Sequence, residues 1–221
     1  MKKLSTFLLI VMILVAGCAG SPQPVQSTDM VANADPYEIG VAGASFSGFT
    51  GIGMNAGSFA VNFAPRTNQV ILVAKNQGNE THLYLDKSAR DLIISGITSY
   101  LESFEQRTLD RDTDMLAAYG KFPAFMKWGM LTLNAEATAT VSAGYEFQKE
   151  APYFTLTIPE TINDRYTSTT RKSTIKKSGY FQFFFTRSQL AEFGEMLIQE
   201  YLESTLEEHN VSRASVDPDA Y

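Results

Sequence analysis

The chain has 221 residues, but only one cysteine, two histidines and one tryptophan. A single cysteine excludes an intramolecular disulfide, so stability has to come from a packed core. One cysteine and two isolated histidines also leave too few ligands for a zinc site. Basic residues are the scarcer charge, 18 Lys and Arg against 24 Asp and Glu. An acidic chain gains nothing from non-specific attraction to nucleic acid, and no nucleic-acid partner is expected. No apolar run reaches the roughly 20 residues of a membrane-crossing helix.

The longest apolar run, Leu4 to Val15, follows Met1-Lys2-Lys3. At about 1.5 Å per residue it spans roughly 18 Å of helix, short of the roughly 30 Å hydrocarbon core. A positive start, a short apolar stretch and small residues at its end form an export signal. Val15-Ala16-Gly17-Cys18 resembles the lipobox of bacterial lipoproteins. The resemblance covers the first 18 residues and implies cleavage before Cys18 and a diacylglycerol joined to its thiol. It therefore implies a cell-envelope protein held to a membrane by its N-terminal lipid. Ala19, directly after the cysteine, resembles an outer-membrane destination in a cell with two membranes. On this reading Cys18 is an anchor rather than a nucleophile.

The expected organisation is a signal peptide over 1–17, then the lipidated cysteine and a disordered tether over 18–36. A first sheet-plus-helix unit covers 37–109, and a connecting helix or loop with a second unit covers 110–211. A tail follows over 212–221. The tether reading rests on Pro22, Pro24, Pro36 and small polar residues without apolar periodicity.

In the first unit, alternating Phe59, Val61 and Phe63 (58–64), then 70–75 and 81–85, read as strands separated by Pro-, Asn- and Gly-containing turns. A helix follows, with Asp86 as N-cap and Ile93, Ile97, Tyr100 and Phe104 on one face. In the second, 152–158, a Ser/Thr-rich stretch over 167–175, and 180–185 read as strands. A helix then opens with a Thr186/Gln189 capping box. Residues 110–128 predict a short helix and a loop broken by Gly120 and Pro123, and 130–147 a long strand or hairpin. The fold class expected is α+β, with antiparallel sheets in two related strand-strand-strand-helix units. In element order alone this is similar to the Whirly and Pur-type repeats, whose binding residues have no counterpart motif here.

Several partial motifs fall short. Gly51, Gly53 and Gly57 miss the dinucleotide fingerprint by one position and precede a strand rather than a helix. Ser45 and Ser47 give a broken nucleophile elbow, with His82 and His209 as the available bases. Asp110, Asp112 and Asp114 begin like a calcium loop, but Met115 and Lys121 stand where its Gly and Glu belong. Catalytic, metal and cofactor sites are all expected to be none.

Arg165, Arg171, Lys172, Lys176, Lys177 and Arg187 concentrate positive charge in an acidic chain. They read either as an anion-binding face or as a solvated hairpin protecting sheet edges. The expected function is a non-enzymatic binding or scaffolding module whose partner is an envelope protein or glycan. The alternative is an envelope hydrolase acting on glycan or ester substrates.

Overall fold

Alternation of apolar and polar residues builds most of this molecule, and it does so as strands. The computed structural model describes residues 36–48, 53–76, 78–111, 115–130, 132–166 and 175–214. All lie in one compact unit, Ala34–Tyr221. Among them are eight strands: β1 (Tyr37–Ser47), β2 (Asn55–Ala64), β3 (Gln69–Asn76), β4 (Asn79–Leu85), β5 (Gly120–Met130), β6 (Ala135–Gln148), β7 (Ala151–Ile158) and β8 (Phe181–Phe185). The helices are α1 (Lys87–Gln106), α2 (Arg187–Glu195) and α3 (Gln199–Ala214).

Each strand pairs antiparallel with its sequence neighbour, and β8 returns to β1, where Ser45 faces Phe184 and Phe46 faces Phe183. The sheet is thus a closed barrel. This corrects the expectation of two separate sheet-plus-helix units of Whirly or Pur-type order. Each half does run strands and then a capped helix. However, β4 pairs with β5 across α1, from Asn79 opposite Met130 to Tyr84 opposite Phe125. Two separate sheets would leave four edges of unpaired N–H and C=O groups, and closure satisfies all of them.

The segment expected to be a helix and loop also differs. Residues 116–119 form a turn, and β5 runs straight through Pro123. That proline lies beyond Phe125, near the last β5 position paired with β4, where β6 is the remaining neighbour. A missing backbone donor is tolerated at such a place. The Ser/Thr-rich strand expected over 167–175 falls outside the described residues except for Ile175.

Inward positions are apolar: Phe59, Val61 and Phe63 on β2, Phe122, Ala124, Met126 and Trp128 on β5, and Phe181, Phe183 and Phe185 on β8. Small residues, Ala42 and Ala44 on β1 and Ala135, Ala137, Ala139 and Ala143 on β6, make room for the rings. Outward positions include Lys121, Lys127, Glu136 and His82. This polarity is the reverse of a membrane-spanning barrel, which carries its apolar band outside.

The helices close the end where β4 and β8 finish. Asp86 caps α1 by accepting from the Ala89 N–H at 2.8 Å, and Thr186 with Gln189 forms a complete capping box on α2. Ile93, Ile97 and Tyr100 of α1 are buried, and the Tyr100 hydroxyl donates to the Pro152 carbonyl at 2.9 Å. Phe193 of α2 stacks on Phe185 with centroids 4.9 Å apart.

Arg90 ties this plug together. Its side chain is fully buried and donates to the Leu197 carbonyl at 2.9 Å, Asn68 Oδ1 at 3.1 Å and Gln199 Oε1 at 3.0 Å. Burial pulls its guanidinium pKa below the usual value, opposed by the charges of Asp91 and Asp86.

Candidate binding pocket at the open barrel end

The opposite end, where β5 and β7 finish and β8 begins, is covered by no described helix. A cavity of about 340 Å³ opens there. Met126, Trp128, Ile158, Ile175 and Phe181 supply apolar wall, while Glu80, Thr81, Lys177, Ser178 and Tyr180 stand around it. Beneath it the barrel is filled. Phe181 lies 4.6 Å from Phe183, and Phe46 stacks on Phe181 at 5.7 Å. The result is a cup at the mouth, not a channel.

One wall is the connection between β7 and β8, and a buried asparagine holds it in place. Asn163 is 1% exposed. Its Oδ1 accepts from the Glu136 and Arg165 N–H groups at 3.1 and 2.9 Å, and its Nδ2 donates to the Ile175 carbonyl at 2.6 Å. Thr161 and Ser178 add reciprocal bonds, Ser178 N to Thr161 O at 2.8 Å and Thr161 N to Ser178 Oγ at 3.0 Å. A buried amide that makes three of its four possible hydrogen bonds fixes the strap to the start of β6.

Two features of the mouth stand out energetically. Met130, Ile162, Tyr166 and Tyr180 are exposed by 59, 71, 40 and 41% and sit on β5's end or on the strap. Of these, Met130 and Tyr180 line the cavity, and exposed large apolar side chains beside an apolar cavity are characteristic of binding surfaces. The second feature is Trp128, 7% exposed, whose indole Nε1–H is buried with no hydrogen-bond partner among the described residues. Buried donors normally find an acceptor.

The basic residues are distributed rather than gathered. Arg165 pairs with Glu136 at 2.6 Å, and Lys177, in the pocket wall, pairs with Glu160 at 2.6 Å. Lys176 is exposed and makes no ion pair among the described residues. Arg187 opens α2 at the plugged end, with its guanidinium 5.7 Å from the centre of the Phe104 ring. The length of β8, roughly 17 Å at about 3.3 Å per residue, separates it from Lys177. Arg171, Lys172 and Cys18 lie outside the described residues.

The remaining candidates do not converge. Ser45 on β1 and His82 on β4 are three strand spacings apart, about 14 Å at roughly 4.8 Å each. His82 is bonded instead to Glu80 at 2.5 Å on the outer surface. That bond is the main cause that holds the Glu80 carboxyl below its ordinary pKa, against desolvation and with Lys75 assisting. His209 stacks on Tyr37 at 4.0 Å. Gly53 has φ +94° and leads into β2, as a bend does. The Asp110 N–H donates to the Tyr145 hydroxyl at 3.0 Å, and Asp112 and Asp114 are outside the described residues.

Sequence reasoning missed Trp128, Asn163 and Arg90. For Trp128 the signal was there: Phe122, Ala124, Met126 and Trp128 alternate perfectly, but Gly120 and Pro123 disguised the strand.

Fold and site together define a one-end-plugged antiparallel β-barrel with an apolar cup at its mouth. Residues 36–204 match the family described as "Uncharacterised Treponema protein", and the chain belongs to that family. It is similar to an "Uncharacterized protein" of Treponema pallidum (strain Nichols), 31% identical over 140 residues, which are 60% of this chain and 51% of that protein. The chain thus spans about half the length of that relative. No solved structure matches it.

Proposed function

We propose that this is a lipid-anchored protein of the cell envelope whose barrel is a non-enzymatic module that binds a small apolar molecule. The observation that carries the binding part is the apolar cup in the barrel mouth. Its volume, about 340 Å³, falls in the range of small-molecule sites. Barrel mouths are a common place for such sites because strands hold the walls rigid while loops vary the rim. The location rests on the charged, apolar and small residues that lead to Cys18. Two or more acyl chains there make a firm anchor, at about 0.8 kcal/mol per buried CH₂. Ala19 supports an outer-membrane destination where the cell has two membranes.

The two parts have separate tests. Cys18→Ser is expected to abolish incorporation of radiolabelled palmitate and to release the protein from the membrane fraction. Normal labelling of that variant sinks the anchor. For the pocket, a dye that fluoresces on entering apolar surroundings, such as anilinonaphthalene sulfonate, is expected to saturate at one per chain. At Gly179, on the pocket wall, an added Cβ meets only the Gly48 carbonyl at 3.8 Å. Gly179→Trp should therefore leave the melting temperature unchanged and weaken dye binding about tenfold, a loss of roughly 1.4 kcal/mol. Equal dye affinity in both proteins, or none in either, overturns the pocket reading.

A further inference from the structure

We infer that a second cavity, at the plugged end of the barrel, binds small organic carboxylates, with Arg107 and Arg111 taking the charged group and an aromatic wall taking the apolar body. It stands apart from the cup, which lies at the other end.

The cavity, about 390 Å³, opens where α1 ends beside the β6–β7 hairpin. Phe104, Leu109 and Phe147 form apolar wall, and Arg107, Arg111 and Glu150 are its charged part. In a chain of net charge −6, this wall thus carries two cations against one carboxylate. Two further cations border it. Lys149 precedes Glu150 in the hairpin turn, and Arg187, reaching across from α2, holds its guanidinium 5.7 Å from the centre of the Phe104 ring.

The pairing of these groups points to an incoming anion. Arg107, Lys149 and Arg187 make no ion pair among the described residues. Arg111 does pair, with Glu150 at 2.7 Å, but the two side chains are 54 and 86% exposed. An ion pair so open to water contributes little, so a ligand carboxylate can replace Glu150 on the Arg111 fork. The fork keeps its place meanwhile, because its guanidinium also lies 4.9 Å from the centre of the Phe147 ring.

The backbone adds a second, independent sign. Arg107 and Lys149 both have φ +58°, in the left-handed region that glycine occupies without cost. Local preference does not select a cation at either place, and the two flank one cavity.

This wall repels a cation, and an uncharged molecule gains nothing from the arginines. A carboxylate on an aryl or branched-alkyl body uses both parts. At about 30 Å³ per small group, the share of one water in the liquid, 390 Å³ holds on the order of a dozen heavy atoms.

The test is calorimetric titration of the full chain with 4-phenylbutyrate, 4-phenylbutanol and 4-phenylbutylamine, which share one apolar body. The carboxylate is expected to bind about tenfold more tightly than the alcohol, as charge-assisted hydrogen bonds to arginine predict, and the amine more weakly still. Arg107→Gly, a residue suited to that backbone conformation, should weaken carboxylate binding about fivefold. Glu150→Gln frees Arg111 and should tighten it about threefold, a gain that misfolding cannot produce. Gly179→Trp, which fills the cup, should bind the carboxylate as the unaltered chain does. Equal affinity for carboxylate and amine, undiminished binding in Arg107→Gly, or no gain in Glu150→Gln each overturns the inference. Loss of carboxylate binding in Gly179→Trp places the ligand in the cup and overturns it as well.

Discussion

Arg90→Met is expected to lower the free energy of unfolding by about 2–4 kcal/mol. The guanidinium joins three separate pieces of chain: α1, which carries it, the turn at Asn68, and the α2–α3 junction at Leu197 and Gln199. Methionine fills much of the same volume but donates nothing, so the Leu197 carbonyl loses its partner inside the plug. Part of the loss is offset because a buried cation with no carboxylate partner no longer has to be desolvated. Arg90→Lys is expected to recover little, since one ammonium cannot span acceptors that a planar fork reaches in different directions. Urea unfolding followed by Trp128 fluorescence and far-UV dichroism measures both variants. A loss below about 1 kcal/mol in Arg90→Met, or full recovery in Arg90→Lys, would show that the plug is held by apolar packing alone.

Gly144→Ala should cost about 3 kcal/mol or more. This glycine sits in the middle of β6, opposite Thr155, where the chain before β5 crosses the outside of the barrel. An added Cβ would lie 2.0 Å from the Met115 carbonyl oxygen and 2.4 Å from the Leu116 carbonyl carbon. Both are backbone atoms, and the same segment is pinned by the Tyr145 N–H bonding to Met115 O at 3.1 Å. Relief therefore requires that bond to lengthen or the turn to lift away from the sheet. Gly179→Ala is the control, expected to change stability by less than about 0.5 kcal/mol because its Cβ meets only the Gly48 carbonyl oxygen, at an ordinary contact distance of 3.8 Å. Similar unfolding midpoints for the two variants would overturn the account of Gly144 as a crossing point.

Both positions were hard to read beforehand for the same reason. Arg90 looked like one more charge in a helix whose exposed face is charged, and nothing local distinguishes it from Arg107. Its burial comes from Asn68 and Gln199, 22 and 109 residues away in the chain. Gly144 lay in an Ala- and Thr-rich alternating run where one small residue resembles the next. By contrast Asp86 and Thr186 were legible as helix caps, because a cap is decided within three residues. The strands with alternating Phe and Val were legible too, since the side-chain period of two is a local property.

The candidate site divides along the same line. Of the charged residues legible in the sequence, Lys177 borders the mouth. Arg187, counted with them along the chain, is carried to the far end by β8, because proximity in sequence does not survive the length of a strand. Trp128 is hidden in the sequence because its segment carries a glycine and a proline that speak locally for a loop. Ladder bonds to β6 and to most of β4 outweigh that preference.

From its sequence alone this protein could be read as acidic, as opening with a stretch that resembles a lipoprotein signal, and as a succession of short strands followed twice by capped helices. Those properties reside in composition, in a short motif or in a period of two or 3.6 residues. The sequence did not reveal that the strands make one barrel. Every strand edge presents the same N–H and C=O groups, and the choice between two sheets and one closed ring depends on which edges meet. Closure then decided the site: which end the helices plug, and that the cup lies, among the described residues, at the other end with Trp128 in its wall.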